Sequence, residues 1–120
     1  MKKIVSGIIL FLYCILGMVP MAWADAPPQK IMVITVDNAV ESGLASYLER
    51  NVAAAKEKQV DILILELDTP GGRVDAAQDI KRILYNSDME TVALIKDHAL
   101  SAGAYIALCC DKIAIDRKSV

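Results

Sequence analysis

Ser101 opens the segment Ser-Ala-Gly-Ala-Tyr-Ile-Ala, and thirty positions earlier Gly71-Gly72 closes the segment Asp-Thr-Pro-Gly-Gly. A serine hydroxyl can attack a carbonyl carbon once a base takes its proton. The small neighbours Ala102, Gly103 and Ala104 leave room for a substrate beside that hydroxyl. Attack on an acyl group creates an oxyanion, which backbone N–H groups can hold. Two consecutive glycines free the chain to aim such groups into a cleft. The amide of Ala102, next after the serine, could be a further donor, as in strand-to-helix nucleophile turns. Each segment also has a plainer reading. Pro-Gly-Gly makes ordinary turns, and a serine ahead of a helix is commonly an N-cap.

Other reactive side chains are few. His98 is the only histidine, and Cys109 and Cys110 are adjacent within an apolar stretch. There is no CxxC spacing, so neither a zinc site nor any other metal or cofactor is expected. Neighbouring cysteines rarely bridge each other, and both read as small buried hydrophobes. Arg73, directly after the glycine pair, could hold a substrate carbonyl or simply lie on the surface.

The elements that must position these groups alternate in type. Residues 31–36 (IMVITV) read as a buried strand. Residues 42–58 carry Leu44, Tyr47, Leu48, Val52 and Ala55 at helical spacing, with Ser42 as a candidate N-cap. Residues 60–67 (VDILILEL) form a second strand, apolar enough to suit a parallel strand covered on both faces. A sharp loop over 68–72 follows. Residues 74–85 predict a helix with Ala76, Ala77, Ile80, Ile83 and Leu84 on one stripe, then residues 91–96 a third strand. Ser101 to Cys110 predicts a short apolar helix, and residues 112–115 a fourth strand. Strand–helix alternation argues for an α/β fold with a largely parallel sheet. Ligands bind at the carboxyl ends of such strands, which is where both the glycine pair and Ser101 fall.

Composition narrows the class. Of 120 residues, 55% are hydrophobic and the formal net charge is -2, too apolar for disorder and too balanced for a nucleic-acid binder. The excess apolarity lies at the N-terminus. Lys2 and Lys3 precede an uncharged run from Ile4 to Val19, broken by Pro20 and followed by Ala22-Trp23-Ala24. That layout is a secretory signal peptide over residues 1–24, with an uncleaved anchor as the alternative. Either places the rest outside the cytoplasm, as an exported or periplasmic domain. Cys14 lies mid-run without small residues before it, which excludes a lipoprotein site. Beyond residue 24 there remain 11 basic and 15 acidic residues, a charge of -4 with no attraction for nucleic acid or anionic lipid. Residues 25–30 contain Pro27-Pro28 and read as an extended leader.

Strand, Asp68-Thr69-Pro70-Gly71-Gly72, helix, strand, then Ser101-Ala102-Gly103-Ala104-Tyr105-Ile106-Ala107 resembles the ClpP/crotonase superfamily, and within it the NfeD-type membrane-bound serine proteases. The resemblance covers about residues 31–116. It implies a ClpP/crotonase-like α/β fold, with Ser101 as nucleophile and the amides of Gly71, Gly72 and Ala102 as the oxyanion hole. It further implies an ATP-independent, membrane-associated endopeptidase of the Ser-Lys dyad type. Its substrates would be hydrophobic peptide segments or membrane proteins, with a stomatin-like protein as partner and a homo-oligomeric state. The dyad lysine would lie beyond Val120. Residues 31–120 are therefore expected to be the N-terminal part of a protease domain, incomplete at its C-terminus and inactive alone. Among the residues present, His98 is the one conceivable substitute base. Lys96 reads as solvated, Lys112 and Lys118 as too close behind the active helix, and Asp111 and Asp116 as surface groups. Two other functions share the fold or the sequence features: a crotonase-type acyl-CoA enzyme, against which export argues, and a non-catalytic peptide-binding module.

Overall fold

The computed structural model describes residues 27–118. The expected signal segment, residues 1–24, lies outside the described residues. Four strands and three helices alternate: β1 (Ile31–Val36), α1 (Ser42–Glu57), β2 (Ile62–Thr69), α2 (Val74–Tyr85), β3 (Glu90–Ala99), α3 (Ala102–Leu108) and β4 (Lys112–Ile115). The sheet order is β1-β2-β3-β4, and every neighbouring pair is parallel. No described helix is long and apolar enough to cross a membrane.

Each strand is laid down beside its predecessor in the same direction. Right-handed crossovers therefore bring all three helices to one face of the sheet. The strands record this as alternation. Ile34 and Val36 of β1 and Leu63, Leu65 and Leu67 of β2 are buried, whereas Ile31 and Val33 are more than half exposed. The expectation of cover on both faces is thus not met among the described residues. The core closes where Leu48, Val52 and Ala55 of α1, Ala76, Ala77, Ile80 and Leu84 of α2 and Ile106 of α3 meet the inner strand residues. Burial of one such Leu or Ile contributes roughly 1.5–3 kcal/mol, so this layer is the main source of stability.

Two strands run further than their apolar patterns predict. β2 continues through Asp68 and Thr69, and β3 continues to Ala99. Leu67 pairs with Ile95 but Thr69 pairs with Ala99, so β3 carries a bulge over that interval. The expected 68–72 loop shrinks to Pro70-Gly71-Gly72, and only Leu100 and Ser101 separate β3 from α3. Ser42 is not the cap of α1. Glu41 takes that position in extended geometry, without a side-chain cap bond.

Cys109 and Cys110 are unbridged. Burial raises both thiols, that of Cys110 to about 11, so both stay protonated at neutral pH. β4 is anchored at its start by Asp111, whose Oδ2 accepts from the Thr91 amide and the Thr91 hydroxyl at 2.7 Å each. These bonds, the amide one first, hold the Asp111 carboxyl below its ordinary pKa. A depressed carboxyl pKa adds stability above the unfolded-state value and loses it as pH falls through the folded-state value. Asp111→Ala is expected to lower stability by about 1 kcal/mol near neutral pH. It should also flatten the loss of melting temperature below about pH 4. Thermal unfolding of both proteins across that range checks this; identical pH profiles would show that the clamp contributes nothing.

Candidate active site

β2 and β3 are neighbours in the sheet, so the chain segments leaving their carboxyl ends meet. Open parallel sheets bind ligands at this end. The segment after β2 is the glycine loop, and the segment after β3 is the Ser101 turn.

Ser101 sits at φ 50°, ψ -115°, a left-handed backbone position rare for a residue with a side chain. Such a conformation stores on the order of 1–3 kcal/mol and persists only when its surroundings enforce it. Here three bonds enforce it. The Leu100 amide donates to the Thr69 carbonyl at 3.1 Å, the Gly103 amide to the Leu100 carbonyl at 2.8 Å, and the Tyr105 amide to the Ser101 carbonyl at 3.1 Å. Ser101 occupies the N-cap position of α3, yet its hydroxyl makes no cap bond. The residue is exposed. The plainer reading of this serine, a helix cap, is therefore not the use the fold makes of it. Ala102 is the first residue of α3, where an N–H has no intrahelical acceptor.

The glycine loop packs directly against that turn. Gly71 has φ 96°, and a Cβ built on it would lie 2.6 Å from the Leu100 carbonyl oxygen and 2.8 Å from Ser101 Cβ. Only glycine meets both demands. Gly72 approaches the β1–α1 connection equally closely: a Cβ there would lie 2.3 Å from the Val40 carbonyl oxygen. Val40 and Gly72 form a parallel bridge, in which the Val40 amide donates to the Gly71 carbonyl and the Arg73 amide to the Val40 carbonyl. That pattern turns the N–H of Gly72 to the opposite side, where it meets no acceptor among the described residues. The Gly71 amide is committed differently. It donates to Thr69 Oγ1 at 3.2 Å and is buried. Of the loop's two amides, Gly72's is open and Gly71's is used to hold the loop.

The other candidates lie elsewhere. The β3 bulge turns His98 toward carboxylates: its Nδ1 lies 3.5 Å from Asp68 Oδ1 and 3.5 Å from Asp97 Oδ2, and all three residues are exposed. No hydrogen bond joins His98 to Ser101. Lys96 lies between Glu66 at 3.6 Å and Asp116 at 4.0 Å. Lys112 pairs with Glu90 across the β3–β4 edge. Arg73 folds back on Asp75, with Nε 3.0 Å from Oδ1, on the surface beside α2. Its partner Asp75 is held below the ordinary carboxyl range, chiefly by that bond. Neither Thr69 nor Val40 stands out in the sequence as part of a site. Both contacts cross more than thirty positions of chain, and no local pattern reports them.

Residues 30–120 match the family model described as NfeD1b, N-terminal domain. The membrane protein NfeD1b of Bacillus subtilis is 42% identical over 104 residues, which is 87% of this chain and 23% of that protein. The membrane-bound protease PH1510 of Pyrococcus horikoshii is 31% identical over 88 residues, 71% of this chain and 20% of that protein. The chain thus spans less than a quarter of either relative's length. A solved Pyrococcus horikoshii structure, the 1510-N membrane protease specific for a stomatin homolog, superimposes with a TM-score of 0.66 at 29% identity. That match covers 73% of this chain and 46% of the other. ClpP1 of Listeria monocytogenes, at 17% identity and a TM-score of 0.63 over 65% of this chain and 46% of its own, shares the fold.

Proposed function

We propose, for a chain that belongs to the NfeD1b N-terminal domain family, that it carries the nucleophile and oxyanion donors of a membrane-associated serine endopeptidase. Relatives of the chain are named as membrane-bound proteases, and proteases are among its structural neighbours. The observation that carries the assignment is the Ser101 turn: an exposed serine at positive φ, its hydroxyl uncommitted, with a glycine loop pressed against it.

The reaction follows from those atoms. Ser101 Oγ adds to the carbonyl carbon of the scissile peptide bond, and its proton passes to a base. The carbonyl oxygen becomes an oxyanion held by the amides of Gly72 and Ala102, the first facing out of its loop and the second without an intrahelical acceptor, donors fixed before the reaction begins. Collapse breaks the C–N bond and expels the amine, which takes the proton from the base. Water, giving its proton to the same base, then attacks the ester carbonyl; the bond to Ser101 Oγ breaks, the carboxylic acid product leaves and Ser101 regains its hydroxyl proton. By family resemblance the base is a lysine beyond Val120, completing a Ser-Lys dyad. Lys96 and Lys112 are held in ion pairs away from this turn, and His98 faces Asp68 and Asp97. The substrate is an apolar peptide segment of a membrane-associated protein, a stomatin-like protein by the same resemblance. The enzyme works outside the cytoplasm, at the membrane.

The test is cleavage of matched peptides by the full-length protein, one set apolar around the scissile bond and one set charged. Faster cleavage of the apolar set, blocked by a fluorophosphonate, is the expected result. No cleavage of either set would remove the endopeptidase assignment.

A further inference from the structure

Thr69 and Thr91 are the two buried polar residues among those described. Thr91 serves the Asp111 clamp at the far end of β3. Thr69, 0% exposed, ends β2 at the candidate site, and its contacts reach every segment that builds it.

Its hydroxyl donates to the Asn38 carbonyl of the β1–α1 connection at 2.7 Å. A carbonyl can only accept, so the hydroxyl proton is fixed on that bond, and a lone pair remains for the incoming Gly71 amide at 3.2 Å. The Thr69 carbonyl accepts from Leu100, the residue before Ser101, at 3.1 Å. The Thr69 methyl fills the space over α3 that a side chain at Gly103 would need: a Cβ there would lie 2.5 Å from Thr69 Cγ2.

These contacts have a directional consequence. Drawing the Gly71 amide inward onto Thr69 holds the leading end of the peptide unit that joins Gly71 to Gly72. The Val40 amide, bonded to the Gly71 carbonyl, holds the same unit from the other side, in the β1–α1 connection that the Thr69 hydroxyl also ties down at Asn38, and the N–H of that unit, Gly72's, is left facing out. We infer that Thr69 is a positioning residue, whose hydroxyl orients the glycine loop so that Gly72 N–H stays aimed for the Ser101 reaction. The inference rests on the serine endopeptidase reading above and deepens it. The hydroxyl is required because it must donate and accept at once. Valine has the same shape and does neither; serine does both but lacks the methyl.

The test compares Thr69→Val, Thr69→Ser and Ser101→Ala in the full-length protein, by peptide hydrolysis and by melting temperature. A misaimed donor weakens the transition state more than the bound substrate. Thr69→Val should therefore lower kcat on the order of tenfold to a hundredfold, with KM within about twofold. Thr69→Ser should keep kcat within about threefold of the parent even where its melting temperature falls, since both hydrogen bonds survive. A Thr69→Val enzyme with parental kcat would overturn the inference. So would a Thr69→Ser enzyme as slow as Thr69→Val, since packing rather than the hydroxyl would then be at work; this arm decides the matter if Thr69→Val does not fold. Ser101→Ala separates the two levels. Its inactivity leaves Thr69 alone under test, whereas its full activity would remove the reading on which the inference rests.

Discussion

Ser101→Ala is expected to abolish peptide cleavage by the full-length protein while leaving its melting temperature within a few degrees of the parent. The hydroxyl makes no cap bond and no hydrogen bond to another described residue, so removing it breaks no polar contact among them. Alanine tolerates the positive φ no better than serine, so the backbone strain at this position is nearly unchanged. The loss is therefore chemical: the attacking oxygen is gone, and no covalent intermediate can form. A drop of at least a thousandfold in kcat, with peptide binding retained, is the size that removal of a nucleophile brings. Comparable turnover in the variant would exclude Ser101 from the mechanism.

Gly72→Ala should give the second largest effect. The new methyl would lie 2.3 Å from the Val40 carbonyl oxygen and 2.7 Å from the Val40 amide nitrogen, both backbone atoms. The bridge between Val40 and Gly72 must open to admit it, and the Gly72 amide turns with it. Loss of one oxyanion donor lowers the rate on the order of 10²–10³-fold, and kcat should carry that loss rather than KM. Gly43→Ala is the control. Beyond its own turn of α1, no atom of the described residues lies within 4 Å of a Cβ at that position, so activity should be unchanged. Full activity in Gly72→Ala at parental stability would make the glycine pair an ordinary turn.

The contrast between these two glycines marks what could be read from the chain. The strands and helices were legible because their apolar residues recur with the right periods: Ile62 to Leu65 as a continuous run, Ala76, Ala77, Ile80 and Leu84 as a stripe. Their order along the chain was enough for a parallel α/β sheet, and the two short segments at 68–72 and 101–107 were enough for the family. The ends of β2 and β3 were not legible. Asp68, Thr69 and the stretch from Asp97 to Ala99 carry no apolar alternation; Thr69 pairs with Ala99 beyond the bulge, and the His98 amide donates to Asp68 Oδ1 at 3.3 Å. The division of labour within the glycine pair was equally hidden. Gly71 and Gly72 are alike in sequence; one amide is bound by Thr69 Oγ1 and the other is open. Ser42 shows the reverse, a residue of the right type for a cap that the chain places one position inside its helix.

The pairing of His98 with Asp68 and Asp97 has the same origin. From spacing alone its ring could point either way. The bulge over residues 95–99 decides it, turning the imidazole toward two carboxylates at 3.5 Å. The proposed nucleophile, the amides proposed to serve it and the residue proposed to aim them come from the ends of two neighbouring strands, and the proposed base is not among them.

An endopeptidase of this kind requires Ser101 Oγ to be an activated nucleophile. The most direct measurement is peptide mapping by mass spectrometry after the full-length protein has been treated with a fluorophosphonate. Such reagents phosphonylate a serine that already has a base and an oxyanion site, and leave ordinary surface serines unmodified. The account requires one adduct, on the peptide containing Ser101, with the label lost in Ser101→Ala and slowed in Gly72→Ala. An adduct confined to another serine, or no adduct in a protein that cleaves peptides, would contradict it.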